Sequence, residues 1–351
     1  MKDLRISRLR NVMEQKKTDA FVTFSCYDIT YFTGTAGIEG ALVVLHDTVR
    51  LFVSKLYREL AETTVGAEHV TVTGEALKDI VEWLSSKDVH SVAFDYLTTP
   101  AQYAKDLSGF MVVDFTNQTK LLRMIKEREE INSIKRAAFI ARNAFMKVYP
   151  QLRVGVTEKE IADELSYQIR KASAQRESFD IIVAAGENAS HPHHIPTDRK
   201  IGEGEFVVID FGAHVDGYNS DMTYTFLMDP KDDEKKELYN AVFYAQLFAT
   251  EMIAPGRTRI KQIEERAREE LKKRGLEDYF IHSLGHGVGL EVHEFPVVNL
   301  KNDMVVQPGM IFTIEPGIYI PGKLGIRLEH MVLVKENDTE VLAFAPFMEA
   351  M

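Results

Sequence analysis

The chain has 351 residues, 45% hydrophobic and 27% charged, which excludes disorder over most of its length. A formal net charge of -11 argues against a Lys/Arg-built nucleic-acid grip, and a single cysteine, Cys26, excludes an intrachain disulfide and a Cys-based zinc site. The charged start MKDLRISRLRNVMEQ lacks the apolar core of a signal peptide, and no run approaches the ~18 apolar residues of a membrane span, so a cytoplasmic protein without membrane or nucleic-acid partners is expected.

Residues 4–16 carry apolar residues at helical spacing. Residues 20–24, 41–46, 51–53, 91–94 and 110–115 read as short strands, and 55–64, 75–85 and 100–107 as helices. Alternation of this kind predicts an α/β domain over residues 1–122. Gly34, Gly37 and Gly40 have the wrong spacing for a dinucleotide-binding loop. A charged stretch at 126–130 opens a long amphipathic segment to about residue 149, and Thr157 with Glu160 has the form of a capping box that starts a helix over 158–171. Helices are expected at 235–250 and 260–273, and strands at 181–184, 205–213, 218–227, 310–314 and 326–334. Residues 123–351 therefore read as an α+β domain with a mainly antiparallel sheet. No internal repeat is visible.

Five residues stand where a charge is costly. Asp216-Gly217 is a two-residue hairpin signal between two apolar runs. If Val215 pairs with Tyr218, Asp210 lies opposite Thr223, two residues from Asp221. Residues two apart share a face, so the two aspartates project side by side. Taken alone, they also suit the solvent face of an amphipathic hairpin. The segment IHSLGHGVGLEVHEFP then supplies His282, His286 and His293 among glycines that let the backbone approach a site. A lone histidine is usually structural; three so close together favour a site. Glu315 stands in an apolar strand just before Pro316-Gly317, and Glu329 in the middle of another, the run 326–334. A glutamate in such a run requires a partner. Four carboxylates and an imidazole are mostly hard oxygen donors, suited to Mn²⁺, Co²⁺ or Fe²⁺ more than to structural zinc. Two divalent ions offset four negative charges and make an activated water available at neutral pH. These residues point to a dinuclear metallohydrolase.

The stretches PHHIPTDRKI, VVIDFGAHVDGYNSD, HSLGHGVGLEVHE, TIEPGIYIP and RLE resemble the metal-binding motifs of the pita-bread metallopeptidases. That family includes methionine aminopeptidase, aminopeptidase P and prolidase. The resemblance runs nearly end to end and is strongest to prokaryotic prolidases, the Xaa-Pro dipeptidases. It implies a creatinase/prolidase-like N-terminal domain, a pita-bread catalytic domain, two divalent ions (Mn²⁺ or Co²⁺ foremost, Zn²⁺ or Fe²⁺ in their place) and a homodimer. It assigns Asp210 to one metal, His286 and Glu315 to the other, and Asp221 and Glu329 as bridges. Glu315 also matches the proposed general base, and His293 an imidazole that assists the tetrahedral intermediate. His193 matches the imidazole that positions the substrate, a peptide with proline after the scissile bond. His282 and Arg327 match positions lining the site.

The chain departs from the pattern in places. His191-Pro192-His193 stands where Leu-Pro-His is usual, with His194 following. His330 stands where Asp often follows the bridging Glu. The upstream Gly-Ala-Glu stretch reads Ala174-Gln175-Arg176-Glu177 here. Val297 stands where some prolidases carry an arginine suited to a substrate carboxylate, which leaves Arg327 as the remaining candidate for that task. The expected activity is Xaa-Pro dipeptide hydrolysis. The alternatives are an aminopeptidase P-like enzyme on longer peptides, or a member of the fold that binds without catalysing.

Overall fold

The computed structural model describes residues 1–228 and 232–342. The chain divides into two compact units, the first spanning Met1–Arg123 and the second starting at Met124.

The first unit carries a six-stranded mixed sheet. Its strands are β1 (Ala20–Thr23), β2 (Gly40–Leu45), β3 (Val49–Val53), β4 (Val70–Val72), β5 (Ser91–Phe94) and β6 (Met111–Asp114). Their spatial order is β4-β3-β2-β1-β5-β6. The β1–β5, β3–β4 and β5–β6 pairs are parallel; β1–β2 and β2–β3 are antiparallel. Apolar side chains such as Val22, Val43, Phe52 and Phe94 join Ile80 and Leu84 of the Ala76–Ser85 helix in a core. Three elements escape the periodicity reading: the helix Cys26–Thr33, β4 and the helix Gln118–Met124. The first of these has a local signal, since Ser25 accepts the Asp28 N–H as an N-cap. Inside this unit Arg123 Nη1 donates to Asp28 Oδ1 at 3.1 Å, with both side chains buried. We expect Asp28→Ala to lower stability by about 3–5 kcal/mol, because it removes the buried carboxylate beside a guanidinium that stays charged. Denaturant unfolding of the full chain measures this; an unchanged midpoint would refute it.

All strand pairs described in the second unit are antiparallel. The strands are β7 (Arg176–Glu177), β8 (Ile182–Ala185), β9 (Phe206–Phe211), β10 (Ala213–Val215), β11 (Tyr218–Asn219) and β12 (Met222–Leu227), then β13 (Gly285–Gly287), β14 (Glu294–Val298), β15 (Ile311–Ile314), β16 (Gly317–Ile320), β17 (Leu324–Arg327), β18 (His330–Val334) and β19 (Thr339–Leu342). The hairpin register is the expected one: Val215 pairs with Tyr218, and Asp210 with Thr223. Asp216 and Gly217 take φ of 53° and 86° in the turn, as a two-residue hairpin with both central residues left-handed requires.

This hairpin has two distinct faces. Phe211 and Phe226 stack on Phe145 of the Arg128–Val148 helix and Tyr224 meets it edge-on, with ring centroids 5.3, 5.7 and 5.0 Å away. The alternate residues, Asp210, Thr223 and Thr225, project to the opposite face. One side of the sheet therefore buries aromatics, and the other is left for polar work.

Three expected strands are broken. The run 205–213 divides into β9 and β10 around Gly212. The run 218–227 divides into β11 and β12 around Ser220-Asp221. The run 326–334 divides into β17, which pairs with β16, and β18, which pairs with β15 and β19. Glu329 therefore lies in the gap between two strands of different sheets rather than in mid-strand. The break frees its side chain from the alternation of a single strand.

Candidate metal centre

Each of the five expected donors sits at the end of a strand, in a short strand or in a break. Asp210 is the penultimate residue of β9, and Asp221 lies between β11 and β12. His286 is the middle residue of β13, Glu315 is the first residue past β15, and Glu329 falls between β17 and β18. Gly285 lets β13 run close to β15: a Cβ there would lie 2.1 Å from the Thr313 carbonyl oxygen. All five donors line one cavity of about 970 Å³, and His193, His293, His282 and Arg327 line it too.

Ligand atoms of Asp221, His286 and Glu329 all lie within 4.8 Å of one another. His286 Nε2 is 3.2 Å from Glu315 Oε1 and 3.5 Å from Asp221 Oδ2. Hydroxyls and a guanidinium orient the carboxylates. Thr223 Oγ1 donates to Glu329 Oε2 at 2.6 Å, Thr313 Oγ1 to Glu315 Oε1 at 2.9 Å, and Arg327 Nη2 to Asp210 Oδ2 at 2.6 Å. The opposite oxygens, Asp210 Oδ1 and Glu329 Oε1, are buried without a hydrogen-bond partner.

The electrostatics follow from crowding negative charge out of water. Burial, then the Asp210 charge, pushes Asp221 well above the carboxylate range. Burial, then the Asp221 charge, does the same to Glu329. Burial also raises Asp210, against the pull of Arg327. Burial lowers the His286 imidazole, but Glu315 and Asp221 outweigh it and lift it to about 9. Burial works to raise Glu315, and the His286 hydrogen bond overcomes it, leaving the carboxyl at about 2. A cluster of this charge demands cations.

His293 is exposed at the cavity wall, its ring centroid 4.2 Å from that of His286. Partial desolvation by the cavity wall, and then the His286 charge, lowers its pKa. His193 is also exposed on the wall. His282 has both ring nitrogens engaged, Nδ1 with the Ser283 carbonyl at 2.8 Å and Nε2 with the Tyr319 hydroxyl at 3.1 Å. Arg327 is tied up as well: Nη1 donates to Tyr319 Oη at 2.8 Å and to the Pro192 carbonyl at 3.3 Å, while Nη2 holds Asp210. His330 lies outside the cavity lining, 3.0 Å from Thr250 Oγ1, and burial lowers it to about 4. Sequence reasoning passed over Tyr319 and Thr313, and named Thr223 only as a register position. Strand alternation alone marks Thr223, which lies two residues from Asp221 and opposite Asp210.

Residues 132–336 match the sequence pattern of "Metallopeptidase family M24", and residues 5–125 that of the "Creatinase/Prolidase N-terminal domain". The chain belongs to metallopeptidase family M24. The Xaa-Pro dipeptidase of Pyrococcus furiosus is 34% identical over 96% of this chain and 97% of its own. The structure of an Xaa-Pro dipeptidase from Bacillus anthracis superposes with a TM-score of 0.94 at 31% identity, covering 99% of this chain and 98% of that one. That of an X-Pro aminopeptidase from Thermotoga maritima gives 0.87 at 32% identity, covering 97% and 98%. This M24 chain thus has the family's pita-bread catalytic fold behind a creatinase-type N-terminal domain. Membership implies divalent metal ions. The donor set fits them: Asp210 and Glu329 each keep a buried carboxylate oxygen without a hydrogen-bond partner, and each is repelled by neighbouring carboxylates.

Proposed function

We propose that this M24 peptidase hydrolyses Xaa-Pro dipeptides with two divalent ions, Mn²⁺ or Co²⁺. The convergence of the five donors on one cavity carries this reading, with orphaned carboxylate oxygens inside and two free-standing imidazoles on the wall. Asp210 would hold one ion, His286 and Glu315 the other, with Asp221 and Glu329 shared. Bound there, the ions supply Lewis acidity and lower the pKa of water at the site.

The rest falls to the side chains. Glu315 takes the proton of the attacking water and passes it towards the leaving imino nitrogen. His293 donates to the carbonyl oxygen before proline as that carbon becomes tetrahedral. His193 orients the substrate across the cavity. Proline offers no N–H, so the site needs no acceptor for one. The same family resemblance supports a cytoplasmic homodimer, which sedimentation would measure.

One observation favours longer substrates as well. Among the described residues lining the cavity, Arg327 is the only arginine or lysine, and it is occupied by Asp210, Tyr319 and Pro192. No spare guanidinium meets a free C-terminal carboxylate, and Val297 lies on the wall where one would suit. We therefore expect cleavage of Met-Pro and Leu-Pro, with measurable cleavage of Xaa-Pro-Yaa tripeptides. A kinetic panel on dipeptides, tripeptides and dipeptide amides decides it. Absence of Xaa-Pro cleavage with either metal overturns the function. Strict refusal of tripeptides means that another group reads the carboxylate.

A further inference from the structure

Glu158 is fully buried, yet it is remote in sequence from every donor of the metal centre. It opens the Glu158–Lys171 helix, just after the N-cap Thr157. Its carboxylate accepts five hydrogen bonds from one segment, residues 185–197. Oε1 takes the Ala185 N–H at 2.8 Å and Asn188 Nδ2 at 3.0 Å. Oε2 takes Thr197 Oγ1 at 2.7 Å, His194 Nε2 at 2.9 Å and the Thr197 N–H at 3.1 Å. One oxygen thus holds the start of the segment and the other its end. The helix start reciprocates: the amides of Glu158 and Lys159 donate to the carbonyls of Arg199 and Thr197 at 3.1 and 3.0 Å. Those amides are helix-start donors with no partner inside the helix.

His193 lies within this loop. On one side of it, the Pro192 carbonyl receives Arg327 Nη1, from the guanidinium that also holds Asp210. On the other, His194 is held by Glu158. The β17 strand runs close against the loop: a Cβ on Gly325 would meet the Ala189 carbonyl oxygen at 1.8 Å. His193 is therefore bracketed by two buried charged groups, while its own ring stands exposed on the cavity wall.

We propose that Glu158 is a positioning residue for His193: its carboxylate clamps both ends of the 185–197 loop and so sets that imidazole against the substrate cavity. The proposal rests on the role given above to His193. Only a carboxylate serves here. It is acceptor-only, with about four lone-pair sites for five donors. An amide of the same shape turns an NH₂ towards one set of donors and unlocks one end of the loop.

Kinetics of Glu158→Gln, His193→Ala and the double variant on Leu-Pro test this, with metal content measured for each. Misplacement of a positioning group by about an ångström costs roughly 10²-fold. We expect that loss in kcat/KM for Glu158→Gln, with metal content unchanged. The double variant should be no slower than His193→Ala alone, because groups acting through one another are not additive. Should Glu158→Gln fail to fold, His194→Ala/Thr197→Val removes two donors and leaves the carboxylate in place. It should lower kcat/KM about tenfold and show the same non-additivity with His193→Ala. Equal losses in the presence and absence of His193 would overturn the positioning role while leaving the role of His193 intact. A His193→Ala enzyme with unchanged kinetics would overturn both.

Discussion

Glu329→Gln is expected to lower turnover by on the order of 10³-fold or more, with bound metal falling from two ions per chain towards one. The glutamine amide has nearly the volume of the carboxylate, and its carbonyl oxygen still accepts from Thr223 Oγ1, which sits 2.6 Å from Glu329 Oε2. What is lost is the charge and the second oxygen, the one buried without a partner. Four carboxylates balance two divalent ions; three do not. A metal contributes several kcal/mol of charge stabilisation to a hydrolytic transition state, and each ~1.4 kcal/mol is tenfold in rate. The substitution should not unfold the protein, because it relieves repulsion from Asp221 in a group that burial already drives well above its ordinary range. The metal-free variant should therefore melt no lower than the metal-free parent. Elemental analysis, turnover and melting are the three readouts. Two ions per chain and full turnover in the variant would sink the dinuclear reading.

His293→Ala is expected to lower turnover by roughly 10²–10⁴, the range of a positioned acid–base group. His293 is exposed on the wall, beside His286 but outside the carboxylate cluster. Truncating an exposed side chain usually changes stability by less than about 0.5 kcal/mol. Metal content and melting should thus match the parent while the chemical step slows. Parental turnover in this variant would remove His293 from the mechanism. Loss of metal together with turnover would make it a support for His286 instead.

The two substitutions probe features that differ in how far the sequence reveals them. The turn and register of the hairpin carrying Asp210 and Asp221 were legible, but not the breaks at Gly212 and Ser220-Asp221. Asp216-Gly217 specifies a two-residue turn, the turn specifies the register, and a period of two puts both aspartates on one face. The helix at 158–171 was equally legible, because Thr157 and Glu160 cap each other within four residues. The donors Glu315 and Glu329 betrayed themselves as charges in apolar surroundings. All of these are local signals, or costs that a residue incurs wherever the chain takes it.

Other features depend on which strands meet. The run 326–334 is apolar enough to read as one strand, yet β17 and β18 pair in different sheets and leave Glu329 in the gap. Alternation within a run cannot report the partners of its two halves. Arg327 looked available for a substrate carboxylate, but Asp210, 117 residues away in the chain, takes its guanidinium. Glu158 appeared only as a residue of a helix's first turn, where carboxylates are common. Its five donors come from a segment 27 to 39 positions further on. Sequence by itself determined which residues needed a partner, because the cost of burying charge depends on residue type. The tertiary structure alone decided which partner each received, because hydrogen bonds and ion pairs act over about 3 Å and ignore distance along the chain.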